Sequence, residues 1–96
     1  MKVFYTNNLF PENGIPAESE IIEDLGIAED RTAALALINA FLKKQNEEFS
    51  YDRSAWDDEH LTVHIDYGSW SKFFVLVFDT PEGFKQYKKD MTNLFS

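Results

Sequence analysis

From His60 to Tyr67 polar and apolar side chains alternate without a fault. Leu61, Val63, Ile65 and Tyr67 take the odd positions; His60, Thr62, His64 and Asp66 take the even ones. A period of two belongs to an extended chain, whose successive side chains point to opposite faces. The stretch therefore predicts a sheet with one face buried. Gly68 and Ser69 follow in the positions of a two-residue hairpin turn with glycine first, and "WSKFFVLVF" returns as the partner strand. This turn predicts the pairs 67:70, 65:72, 63:74 and 61:76. The core face is then Leu61, Val63, Ile65, Tyr67, Trp70, Phe74 and Leu76, with Lys72 snorkelling at its end.

The returning strand does not alternate. Phe73, Val75 and Val77 fall on the second face, beside His60, Thr62, His64 and Asp66. An antiparallel sheet with a wet face places polar residues on it, so three large apolar side chains there call for a cover. Burying each is worth about 1.5–3 kcal/mol. The loop "NNLFPENGIP", with Leu9, Phe10 and Ile15, is one expected cover, and the first helix is another. The alternative is a partner or a second copy of the chain, which makes the Phe73, Val75, Val77 face a self-association surface.

The remaining elements are read around this hairpin. "KVFYT" (2–6) is β-branched and aromatic and predicts a strand beside the returning one. "ESEIIEDLG" suits a short helix with Ile21, Ile22 and Leu25 on one side and Gly26 ending it. From Asp30 to about Phe49, Leu35, Ile38, Leu42, Gln45 and Phe49 recur at intervals of three and four, which predicts a long helix. Residues 50–58 read as a connector, with a short extra strand around Tyr51 as an option. Thr80 and Pro81 suit the N-cap and first position of a last helix. Phe84, Tyr87, Met91 and Leu94 or Phe95 line one of its sides, and Lys85, Lys88 and Lys89 lie away from it. The expected fold is a single α+β domain over residues 1–96. It has two layers: a three-stranded, mainly antiparallel sheet in the order β-α-α-β-β-α, with helices on one face.

Geometry limits the chemistry of the two histidines. Four residues of strand separate two side chains by about 13 Å, too far to share one metal ion. His64 and Asp66 share a face, but a third ligand has to come from elsewhere, and Asp57, Asp58 and Glu59 are candidates only because acids abound. No phosphate-binding glycine loop and no nucleophile elbow occurs, and there is no cysteine. No catalytic, cofactor or metal site is assigned, and an enzyme is not expected.

Charge points elsewhere. The net is −8, and residues 1–70 hold fourteen acids against five bases. Nucleic acid and anionic membranes are repelled by such a surface, whereas a basic protein is attracted. The expectation is a small non-enzymatic binding protein, an inhibitor or decoy for a basic nuclease or nucleic-acid-binding protein. The expected contact residues are Asp52, Trp56, Asp57, Asp58, Glu59, His60, His64, Asp66 and Phe73, because aromatic rings anchor and acids steer and pair with Arg or Lys. The N-terminus shows no signal-peptide pattern, so cytoplasm is the default location, with no cofactor and no membrane association expected.

Overall fold

The computed structural model describes residues 1–8, 11, 14–49 and 53–93. Among the described residues five strands and two helices follow in order: β1 (Lys2–Thr6), β2 (Ile21–Ile27), α1 (Arg31–Lys44), β3 (Arg53–Asp57), β4 (Thr62–Asp66), β5 (Phe73–Val77) and α2 (Pro81–Asn93). They form one antiparallel sheet in the order β2-β1-β5-β4-β3. The α+β class stands, but the three-stranded sheet and its β-α-α-β-β-α order do not. Two further strands, β2 and β3, form the edges. Among the described residues no helix is long and apolar enough to cross a membrane.

The segment expected as a first helix is a 3-10 turn over Glu18–Glu20 running into β2. Its apolar spacing looks helical because the strand is irregular. Its pairing with β1 jumps between Val3 and Phe4 and again between Tyr5 and Thr6, so extra residues break the alternation that marks a strand. Gly26 adopts φ +102° there, a conformation open to glycine and strained for other residues.

Helix α1 begins where its cap residue dictates, with the Asp30 carboxylate accepting from the Ala33 amide at 2.8 Å. It stops at Lys44, five residues before Phe49. Asn46 turns left-handed at φ 61°, its amide donates to Lys43, and the Glu47 amide donates to Leu42. This pattern satisfies the last helical carbonyls and ends the helix. Helix α2 starts as its sequence predicts, with the Thr80 hydroxyl accepting from the Gly83 amide at 3.1 Å.

The main core lies between the helices and the odd-numbered face of β4. Val63 and Ile65 meet Val3 and Tyr5 of β1, Phe74 and Leu76 of β5, Ile38 and Leu42 of α1, and Phe84 and Tyr87 of α2. The register differs from the expected one. Ile65 opposes Phe74 and Val63 opposes Leu76, so residues 67–72 form a longer connection than a two-residue turn. A slip of two residues leaves every strand side chain on its predicted face. Trp70 and Lys72, however, leave the core face and stand exposed in the loop.

The middle of the second face is covered by the chain itself. Thr6, Thr62 and Val75 are fully buried and His64 nearly so, although the helices pack on the other side. Pro11, Gly14 and Pro16 are buried in the segment that crosses this face. Gly14 sits so close to the His60 ring that an added Cβ would lie 2.4 Å from its Cγ. Ile15 stands with Phe4 and Val77 around an apolar groove. Leu9 and Phe10, expected in this cover, lie outside the described residues. No partner is needed to bury Val75.

Candidate protein-binding surface

The turn between β3 and β4 gathers five of the nine residues expected at a contact surface: Trp56, Asp57, Asp58, Glu59 and His60. Asp57 opposes Thr62 at the end of the hairpin. One of its oxygens accepts from the Glu59 amide at 3.0 Å and the His60 amide at 3.2 Å, and the other meets His60 Nδ1 at 2.7 Å. This contact holds the Asp57 carboxylate below its ordinary value of 3.8 and raises His60 above 6.5. His60 is therefore a turn residue and not the first residue of the strand. Asp57, Glu59 and His60 bring ligand atoms within 4.8 Å of one another, but both Asp57 oxygens already close the turn.

Neighbouring groups are also engaged internally. Asp58 pairs with Lys88 Nζ at 2.7 Å. The same ammonium lies 5.8 Å from the centre of the Trp56 ring and 4.9 Å from that of Phe84, within cation–π range. The spacing along α2 places Lys88 away from its apolar side. It ties the end of the hairpin to the helix, and Trp56 keeps 41% of its surface exposed.

The other expected residues lie apart from this turn. His64 is 3% exposed, and its Nε2 bonds the Thr62 hydroxyl at 2.9 Å beneath the loop cover. It is therefore not available to a partner. Its alternation was read as exposure because the covering segment is not visible in the hairpin's own pattern. Asp66 stands at the opposite end of β4, where its carboxylate accepts from the Gly68 amide at 2.9 Å. Phe73 is half-buried beside Thr6. Asp52 lies outside the described residues.

That opposite end holds what the sequence reading missed. The Ser69 hydroxyl accepts weakly from the Ser71 and Lys72 amides at 3.4 and 3.3 Å, and Gly68 takes φ +108°. The loop so built projects Trp70, which is 99% exposed. Trp70 shares an open groove of about 420 Å³ with Glu47, Glu48, Tyr67 and Ser69. Glu47 is held from two sides: its amide closes the α1 cap, and its carboxylate accepts from the Tyr67 hydroxyl at 3.1 Å. Tyr67 has one proton to give, so Tyr5 donates to it across 2.9 Å. Burial pushes both tyrosine hydroxyls upward. The signals for this end were two: a tryptophan flanked by serines next to a glycine, and an asparagine before two glutamates, where a left-handed residue can stop a helix.

No protein-family model matches this chain, and neither a curated protein nor a solved structure does.

Proposed function

We propose that this chain is a non-enzymatic binding protein that engages a basic protein, acting as an inhibitor or decoy for a nuclease or nucleic-acid-binding protein in the cytoplasm. The observation that carries this is the coincidence of charge with exposed aromatic surface. Residues 1–70 hold fourteen acids against five bases, and Trp56 and Trp70 stand 41% and 99% exposed beside carboxylates. Tryptophan anchors an interface, and the surrounding negative charge accelerates and selects encounter with a cationic partner. Titrating the protein into a panel of basic nucleases, with acidic enzymes as controls, tests it. Affinity for a basic member is expected to fall steeply as salt rises. Binding that ignores salt, or that prefers acidic members, contradicts it. The alternative is self-association through Phe73, Val75 and Val77; within one chain Val75 is fully buried, while Phe73 and Val77 stay half-buried, so those two carry that alternative.

A further inference from the structure

We infer that the groove between the C-terminal cap of α1 and the β4–β5 loop is a receptor for an arginine side chain of the basic partner. The inference rests on the reading above and gives it a place. An indole 99% exposed at a loop tip stands in water against the hydrophobic effect. The loop that projects it is built by its own hydrogen bonds, through Asp66 and Ser69.

The rest of the groove has the chemistry of a cation receptor. Glu47 and Glu48 line it, and the C-terminal end of a helix adds partial negative charge. Lys43 and Lys44 sit in that last turn, but they are not among the groove's lining residues. Glu47 is fixed by the cap and by Tyr67, so its acceptor oxygens are held in place before a ligand arrives. Glu48 is exposed and adaptable.

Arginine fits this pairing better than lysine does. A planar guanidinium stacks flat on an indole and directs several N–H donors at carboxylates, whereas an ammonium is a compact, strongly hydrated point charge. Metal ions are poorly served, since tryptophan offers no ligand. Phosphates are repelled by the two carboxylates.

The test is an NMR titration of the ¹⁵N-labelled full chain with a blocked Gly-Arg-Gly-Arg-Gly peptide. Matched lysine and norleucine peptides serve as controls. The arginine peptide is expected to shift the Trp70 indole N–H and the amides of residues 47–48 and 67–71. The lysine peptide should bind several-fold more weakly, and the norleucine peptide should leave these signals unmoved. Trp70→Ala should weaken arginine binding roughly three- to tenfold, and Glu48→Gln should weaken it by a similar factor. Both side chains are exposed, and an unchanged amide spectrum elsewhere confirms the fold. Equal shifts with norleucine, or equal affinity for lysine, overturn the assignment to a guanidinium. Shifts confined to residues 56–59 overturn the location while leaving the proposed function standing. No shift anywhere at millimolar peptide overturns the arginine receptor, and the proposed function is then judged by the nuclease titration alone.

Discussion

The two ends of β4 carry similar residues and use them differently. At its start, Trp56, Asp57, Asp58 and His60 bind one another, their own backbone and Lys88. At its end, Trp70 contacts solvent over 99% of its surface, with Glu47 and Glu48 across an open groove. Sequence ranks these ends the other way round, with the first as recognition surface and Trp70 as core. A cluster of acids and aromatics becomes a binding surface only if its hydrogen-bonding capacity is left over after the fold is satisfied. Most of that capacity at the first end is engaged, whereas at the second end Glu47, Tyr67, Asp66 and Ser69 are engaged but Trp70 and Glu48 face solvent.

The largest effect is expected at Gly14, which packs on the turn at the start of β4. It adopts φ +76° against the His60 ring, and a Cβ would lie 2.4 to 2.6 Å from three ring and Cβ atoms. Gly14→Ala is expected to cost about 3 kcal/mol, from left-handed strain plus overpacking. Gly26→Ala, with φ +102° but nothing within 4 Å, should cost only about 1–2 kcal/mol. Urea unfolding of both variants checks the difference. Adding His60→Ala to the Gly14 variant should recover part of the loss if the two groups are in contact. Equal costs for the two glycines mean that the loop does not lie on the turn.

Next in size is the pH dependence of the Asp57–His60 contact. The folded pKa of His60 is raised, so its stabilising share is complete below 6.5 and is lost as pH rises through the raised value. Asp57 is depressed, so its share is complete above 3.8 and is lost as pH falls through the lowered value. The contact is thus strongest between those limits. An NMR titration should place His60 above 6.5 in the wild type and return it toward the ordinary range in Asp57→Asn. A His60 value unmoved by that substitution contradicts the contact.

Smaller effects sharpen the contrast between the ends. Asp58→Asn removes a surface ion pair and is expected to cost about 0.2–1 kcal/mol, less at high salt. Trp70→Ala should change stability by less than about 0.5 kcal/mol, as befits a group with no buried contacts. A Trp70 variant destabilised by 2 kcal/mol or more would show that the ring packs somewhere.

Much of the architecture was legible, for reasons tied to particular residues. Alternation along β4 identified the side that meets the helices even with the wrong turn, because the register slipped by two and parity was kept, but it did not foretell that Thr62 and His64 are buried too. Thr80 and Pro81 marked the start of α2, and Ile38 and Leu42 marked the buried stripe of α1, which Ala34 completes in place of Leu35 and Gln45. β1 was rightly placed beside β5. The sequence reading failed where local pattern is overruled. Bulges scrambled the period of β2 and made it look helical. Asn46 ended α1 earlier than its apolar spacing suggests. His64 read as exposed because its cover comes from residues some fifty positions earlier, a contact that no local period encodes. Of the candidate site, the charge asymmetry and Trp56 were legible, while the groove at Trp70 needed the true length of the β4–β5 loop.

That loop also offers the most direct test of the account, because the chain has only two tryptophans. In Trp56→Phe the remaining emission comes from Trp70, and in Trp70→Phe it comes from Trp56. Trp70 is expected to emit at the wavelength of an indole in water and to be quenched by acrylamide as fully as a free tryptophan derivative, with Trp56 more shielded. A blue-shifted, protected Trp70 would mean that the hairpin closes in the tighter register with the ring in the core. The groove, its glutamates and the proposed arginine receptor would then be lost together.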